Sequence, residues 1–153
     1  MKVFLDTGAL LWLLEGNETR AESVRKQLSF WLDRGFEFGT STQTLAELLV
    51  HPKAHDDTTS QYRYRVLLGE MISGPFLSMD DQAAELSAEF VAKHGMDMPT
   101  ASQLAVAVVC GFDVFYTTQD IPPGVSYCQV QQCFGGDVDI RPQSRPKRRK
   151  LLQ

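Results

Sequence analysis

Short apolar runs alternate along the chain with longer segments in which hydrophobic residues recur every three or four positions. The short runs are typical of buried strands, and the longer segments are typical of helices packed on one face. This alternation predicts an α/β fold, in which a central, mostly parallel sheet of four to five strands is covered by helices on both faces. Strands are predicted at 3–5, 36–39, 76–78, 114–116 and 125–130, and helices at 9–14, 19–34, 45–50, 57–73, 81–94 and 100–110.

One proline affects both a helix end and a possible metal site. Pro52 is expected to end the third helix, because its ring removes a backbone donor and crowds the preceding turn. His51 and His55 have the spacing of two metal ligands on one helix face, but the proline between them disfavours a continuous helix. The sequence therefore argues against a histidine metal site there.

Composition narrows the class of protein. The 153 residues, 43% hydrophobic and 22% charged, suit one globular domain. No apolar run approaches the ~18 residues of a membrane helix, so we expect a cytoplasmic protein without membrane contact. The three cysteines form no C-x-x-C pair, which favours reduced thiols. Cys110 lies in an apolar stretch and is expected in the core.

Charge is distributed unevenly between the body of the chain and its end. Residues 141–153 hold six of the 15 basic residues and no acidic residue, whereas the preceding 140 residues carry a net charge of −10. We therefore expect one domain over 1–140 and a basic, disordered tail over 141–153. An acidic body binds nucleic acid poorly, and a basic tail in contact with phosphates would be the alternative to a merely solvated end.

Four acidic residues stand near predicted ends of strands and helices. In parallel sheets, binding sites form beyond the carboxyl ends of the strands. Asp6 follows the first strand, Glu47 lies beyond the second, Asp97 precedes the last predicted helix, and Asp120 follows the strand at 114–116. Four converging carboxylates would repel one another unless they held a hard cation such as Mg²⁺ or Mn²⁺.

Each of these acids also has a purely structural interpretation. Asp6 and Asp97 suit helix N-caps, and Asp120 lies in a turn-forming Gln-Asp-Ile-Pro-Pro segment. Glu47 completes a capping box with Thr44. It is the joint position of the four acids at strand ends that favours a metal site.

Three segments together resemble the PIN-domain family, especially the VapC-type toxins of toxin–antitoxin pairs. They are VFLDTGALLWLLEG, STQTLAELLVHP and MDMPTASQLAVAVVCGFDVFYTTQD, and the likeness covers about residues 2–130 in the family's order. The resemblance implies a three-layer PIN-like fold and a Mg²⁺- or Mn²⁺-dependent ribonuclease. It also implies an RNA substrate, a homodimer and an antitoxin that inserts a segment into the site.

Position by position, the resemblance is closer for some acids than for others. Asp6 and Glu47 match the family's first two metal-site acids. Counting back from Gly111, the usual third aspartate position falls on Thr100, and Asp97 lies about one helical turn earlier. Asp97 is therefore the candidate substitute, and a site without a third acid is the alternative.

The fourth acid also departs from the family pattern, which reads roughly Thr-x-Asp after the strand. Thr118-Gln119-Asp120 fits this pattern with one extra residue, whereas an ungapped count places Gln119 at the acidic position. We favour Asp120, since a one-residue bulge at a strand end is easily accommodated. Thr7, Thr100 and Thr118 are the predicted supporting hydroxyls.

Two classes of function follow from these residues. The first is a metal-dependent endoribonuclease that uses Asp6, Glu47, Asp97 and Asp120. The second is a catalytically impaired PIN fold that binds RNA or a protein partner without cleavage, and Thr100 at the expected acidic position motivates it. A nuclease acting on DNA or structured substrates is a third hypothesis.

Overall fold

The computed structural model describes residues 1–123, 125 and 129–132. The predicted tail at 141–153, its boundary at 140, and two of the cysteines therefore lie outside the described residues. Among the described helices, none combines the length and the apolar character that crossing a membrane requires. The described elements are β1 (Lys2–Leu5), α1 (Thr7–Glu15), α2 (Glu18–Leu32), β2 (Glu37–Gly39), α3 (Thr42–Ala54), α4 (Thr58–Met71), α5 (Asp81–His94), α6 (Met98–Val109), β3 (Val114–Thr117) and β4 (Gln129–Gln132).

The strands form a parallel sheet in the order β2-β1-β3-β4. Val3 pairs with Phe38 on one side and with Val114 on the other, so β1 lies in the interior of the sheet. The predicted α/β fold with a parallel sheet is confirmed. Because parallel strands end at the same edge, the residues that follow β1, β2 and β3 meet there.

Two predicted strands differ in detail from the structure. The one at 76–78 is reduced to a single bridge between Ser41 and Leu77. Gly74 with a φ of +94° and Pro75 without an amide hydrogen interrupt pairing alongside β2, since neither supports a regular ladder. The last strand begins at Gln129 in the structure, and 126–128 lie outside the described residues.

Side chains alternate between the two faces of the sheet and fill two separate cores. Val3 and Leu5 pack against α1, α2, α3 and α4, whereas Phe4 between them packs against α5 and α6. The prediction of helices on both faces is therefore confirmed. Trp31 is fully buried in the first core, where its ring meets the Tyr116 ring edge-on at 5.0 Å between centroids.

Two local expectations were wrong. Pro52 does not end the third helix, since α3 continues to Ala54 with Pro52 buried inside it. A proline so near the end of a helix removes few backbone bonds, and the burial of its ring offsets the loss. His51 and His55 consequently lie close together, with ring centroids 4.4 Å apart. Cys110 is exposed because α6 ends one residue before it, at Val109, and the residues of α6 that are buried lie in its earlier turns.

Candidate active site at the carboxyl ends of the strands

Asp6 joins the interior strand β1 directly to α1. Its side chain caps the helix, with Oδ1 accepting the Gly8 N–H at 2.6 Å, and its own N–H donates to the Tyr116 carbonyl at 3.0 Å. The Thr117 hydroxyl donates to the other carboxylate oxygen, Oδ2. The residue is only 5% exposed. Both carboxylate oxygens are thus held firmly at the edge where the strands end.

The surroundings of Asp6 disfavour its negative charge. Burial is the largest influence and raises the pKa of the carboxyl, while the hydrogen bonds from Thr117 and Gly8 lower it. The charges of Glu47 and Asp97 raise the pKa of Asp6 further. The structure therefore brings three of the predicted acids close enough for their charges to act together.

Glu47 lies half-buried in α3 and is oriented by a neighbour on the same helix. The Gln43 Nε2 donates to Glu47 Oε1 at 2.8 Å and to the Pro99 carbonyl at 3.1 Å. The cap of this helix is Ser41, whose hydroxyl accepts the Thr44 N–H at 3.2 Å. The capping box expected between Thr44 and Glu47 is therefore absent. Capping therefore does not account for Glu47, whose Oε1 instead accepts the bond from Gln43.

Asp97 and Thr100 form the start of α6. Asp97 Oδ2 accepts the Thr100 N–H at 3.1 Å and the Thr100 hydroxyl at 3.0 Å, so Asp97 is the N-cap of this helix. Thr100 itself is buried, while Asp97 is exposed. Asp97, the expected substitute for the third acid, thus uses one of its carboxylate oxygens to cap its own helix.

The end of β3 and the residues that follow it place polar side chains in three different settings. Thr117 donates to Asp6 and accepts the Gln119 N–H at 3.0 Å, whereas Thr118 packs against Gly8 so closely that no Cβ would fit there. Asp120 lies exposed, three residues beyond the end of the strand. The hydroxyl that contacts Asp6 is therefore that of Thr117, one residue before the predicted Thr118.

The oxygen donors suit a hard divalent cation, although the acids do not form a finished cage. Mg²⁺ and Mn²⁺ prefer carboxylate oxygens, and a cation beside Asp6 and Glu47 would offset the charge repulsion that adds to burial in raising the pKa of Asp6. Across the part of the chain that the structure describes, no three His, Cys, Asp or Glu side chains are grouped closely enough to hold a metal ion. Asp6 and Glu47, the buried and the half-buried acid of the four, stay the predicted metal ligands.

A family comparison identifies the fold that carries these acids. A model of the PIN domain matches residues 3–121, which run from the second residue of β1 past the end of β3 and include all four acids. The chain belongs to the PIN domain family. The resemblance predicted from the three sequence segments is thus confirmed. No curated protein sequence matches the chain.

Solved structures of low sequence identity share the fold of this PIN domain. A toxin–antitoxin complex from Klebsiella pneumoniae matches with a TM-score of 0.66 and 21% identity, over 86% of this chain and 98% of that chain. VapBC-1 from nontypeable Haemophilus influenzae matches with a TM-score of 0.65 and 17% identity, over 87% and 98% of the two chains. VapBC2 from Rickettsia felis, bound to a DNA fragment from their promoter, matches with a TM-score of 0.66 and 13% identity, over 86% and 98%.

Beneath the acids of this PIN domain lies a buried polar network that the sequence did not reveal. Gln103 on α6 donates through Nε2 to the hydroxyls of Thr7 at 3.0 Å and Thr44 at 2.6 Å. Its Oε1 accepts the Ser41 hydroxyl at 2.5 Å, and the Thr7 hydroxyl donates to that of Thr44 at 3.3 Å. The one signal in the sequence was an amide in a helix of otherwise small and apolar residues. Thr7, predicted as a supporting hydroxyl, takes part in this network.

Proposed function

We propose that this PIN domain is a divalent-metal-dependent endoribonuclease of the VapC toxin type, which hydrolyses RNA phosphodiester bonds. The observation that supports this most strongly is the buried carboxylate of Asp6, whose charge is disfavoured by burial and by Glu47 and Asp97. A protein gains no stability from concentrating like charges in this way, whereas a site that takes up a cation requires it.

In this proposal, Asp6 and Glu47 hold Mg²⁺ or Mn²⁺, with Asp97 and Asp120 as further acids of the site. When bound, such a metal supplies Lewis-acid chemistry that activates water and offsets the charge of the phosphodiester. The chain's own contribution is to fix the ligands: Thr117 and the Gly8 N–H hold Asp6, and Gln43 holds Glu47. The supporting hydroxyls in the proposal are Thr7, Thr100 and Thr118.

The proposed setting is a cytoplasmic toxin–antitoxin pair. The structures from Klebsiella pneumoniae and Haemophilus influenzae support an antitoxin as the protein partner, because both are complexes of that kind. A homodimer is proposed as well. Half-buried apolar side chains on α1 offer surface for such contacts, among them Trp12, which also stacks beneath the Arg20 guanidinium at 4.8 Å.

A second candidate function is a catalytically impaired PIN domain that binds RNA or a protein without cleaving. It is favoured by Thr100 at the expected third acidic position and by the engagement of Asp97 as a helix cap. Fewer free carboxylates would lower the affinity for metal. The two candidates differ in whether Asp6, Glu47 and the remaining acids suffice to bind the metal and to support cleavage.

Cleavage of a mixed single-stranded RNA in EDTA, Mg²⁺ and Mn²⁺ separates the candidates. The purified chain, free of antitoxin, is compared with Asp6→Asn and with Asp57→Asn as the matched control. Asp57 also caps a helix, α4, through its side chain but is exposed and outside the site. We expect metal-dependent cleavage by the natural chain and by Asp57→Asn, and none by Asp6→Asn. No cleavage with either metal would favour the impaired form.

A second comparison tests the incomplete acid set and the nature of the substrate. Thr100→Asp restores a carboxylate at the family's third position. If the natural chain is silent and Thr100→Asp cleaves, the impaired form is correct. If both cleave, the natural acids suffice. Single-stranded RNA and DNA of the same sequence, compared at one salt concentration, distinguish an RNA-specific enzyme from a nuclease acting on DNA.

A further inference from the structure

Helix α6 carries one long polar side chain in a position where packing alone would favour an apolar one. Gln103 is 3% exposed, and its helical neighbours Ala101, Leu104 and Ala105 are buried in the second core. A buried amide is costly unless it is hydrogen-bonded, and here both amide hydrogens and the carbonyl oxygen have partners. The side chain therefore has a specific set of bonds to maintain.

The partners of Gln103 stand next to Asp6 and Glu47, the two acids that hold the metal in the proposed function. Thr7 follows Asp6 in the chain and opens α1, while Ser41 caps α3 and Thr44 lies one turn before Glu47 on that helix. The bonds are 2.5 to 3.0 Å long between the heavy atoms, so a shift of either helix end would break them. One amide thus joins α6 to the beginnings of both helices that present the acids.

We propose that Gln103 is a positioning residue that sets the placement of Asp6 relative to Glu47 for cation binding. This inference rests on the proposed function, because it assumes that the two acids share a metal. Gln103 acts only through Thr7, Ser41 and Thr44 and touches no substrate. Groups that orient metal ligands typically change metal affinity about 10- to 100-fold when they are removed.

The test is the affinity for Mn²⁺ itself, measured by the electron paramagnetic resonance signal of free Mn²⁺ in titrations of the full chain. Gln103→Met keeps the length of the side chain and removes the amide. The matched control is Gln61→Met on α4, where the glutamine bonds Lys53 and the Pro52 carbonyl outside the site. We expect Gln103→Met to bind Mn²⁺ at least about 10-fold more weakly than the natural chain. Gln61→Met should bind Mn²⁺ as tightly as the natural chain. Excess Mn²⁺ should restore part of the RNA cleavage lost in Gln103→Met.

The outcomes separate this inference from the function on which it rests. A natural chain that neither binds Mn²⁺ nor cleaves RNA overturns both. If Gln103→Met binds Mn²⁺ as tightly as the natural chain, the proposed function stands and Gln103 has only a structural role. This conclusion holds whether or not the variant unfolds at lower urea.

A second variant keeps the test valid where Gln103→Met does not fold. Thr44→Val preserves the shape of the side chain and removes only the hydroxyl that Gln103 bonds most closely on α3. Weaker Mn²⁺ binding by Thr44→Val supports the inference, and unchanged binding by a folded Thr44→Val overturns it.

Discussion

At the residue scale, the structure shows a carboxylate placed where it is disfavoured and then held in position. Asp6 receives hydrogen bonds from Thr117 and from the Gly8 N–H, yet burial outweighs both and raises its pKa. Neutral asparagine could keep the cap of α1 through its Oδ1, while its amide N–H would donate to the Thr117 oxygen instead of accepting from it. The negative charge itself therefore does not stabilise the fold, in keeping with the proposed role of Asp6 as a metal ligand.

Asp6→Asn is expected to unfold at higher urea than the natural chain near neutral pH in EDTA. The folded carboxyl holds its proton more tightly than the unfolded one, whose pKa is about 3.8, so the natural chain loses stability as pH rises from that value through the folded pKa. Asparagine has no such loss. Urea unfolding of both chains near neutral pH and in acidic buffer measures the difference, which should shrink on acidification. A less stable Asp6→Asn at neutral pH would contradict this account.

A second prediction at this scale concerns the close approach of Gly8 to Thr118. Gly8→Ala should lower the free energy of unfolding by about 1–3 kcal/mol, because the new Cβ would overlap the Thr118 hydroxyl. Gly69→Ala in α4 is the matched control: its Cβ meets nothing, and helix propensity should raise stability by about 0.5–1 kcal/mol. Urea denaturation checks both, and Thr118→Ala should recover most of the loss in Gly8→Ala. Equal effects of the two glycine substitutions would show that the two residues are not so close.

At the element scale, α3 depends on the side chain that begins it. Ser41 caps the helix through the Thr44 N–H and also donates to Gln103, so a single hydroxyl serves the backbone of α3 and the packing of α3 against α6. The edge bridge to Leu77 starts from the same residue. Because α3 also carries Glu47, this anchoring fixes the start of the helix from which the Glu47 side chain extends.

Ser41→Ala is therefore expected to lower the free energy of unfolding by about 1–3 kcal/mol, because it removes a cap and leaves a buried carbonyl oxygen of Gln103 unbonded. The comparison is Asn17→Ala, which removes the exposed cap of α2 from the Arg20 N–H and should cost about 1 kcal/mol. Urea unfolding of both variants provides the values. A smaller loss for Ser41→Ala than for Asn17→Ala would mean that the bond to Gln103 contributes nothing.

The sequence allowed the elements to be predicted better than the side-chain bonds within the site. Hydrophobic periods and the strand-end rule placed Asp6 beside the sheet edge and identified Glu47, since both depend on position along the chain. The network around Gln103 depends on side-chain directions that join residues up to 96 positions apart. STQT offers several possible caps, and only tertiary contacts select Ser41 over Thr44. The tail and Asp120's part in catalysis stay predictions.

At the scale of the whole molecule, charge separates the body of the chain from its end. The first 140 residues carry a net charge of −10 and the last 13 residues +6. An acidic body repels RNA in the absence of a cation, whereas a basic segment gains affinity by releasing counterions from phosphates. Binding of RNA and its cleavage are therefore expected to depend on different parts of the chain.

Removal of residues 141–153 should weaken RNA binding and leave the rate of cleavage at saturating RNA largely unchanged. In EDTA, the slope of log affinity against log salt should become shallower by up to about 0.7 for each phosphate of single-stranded RNA that the shortened chain no longer neutralises. Fluorescence anisotropy of the full and shortened chains over a salt series measures it. Identical slopes would show that the tail does not bind RNA, while rates at saturating RNA show whether the chemistry is preserved.

The pairing of β1 with β3 has a consequence for the order in which the protein becomes functional. Asp6 and the Thr117 hydroxyl that holds it are separated by 111 positions in the chain. On a ribosome, the amino-terminal strand must wait for nearly the whole described fold to be synthesised before its partner emerges. A growing chain therefore carries Asp6 from the outset but cannot hold it in place. A truncated product that ends before β3 should therefore lack an ordered Asp6 carboxylate, and the proposed nuclease activity should appear only once β3 has been synthesised.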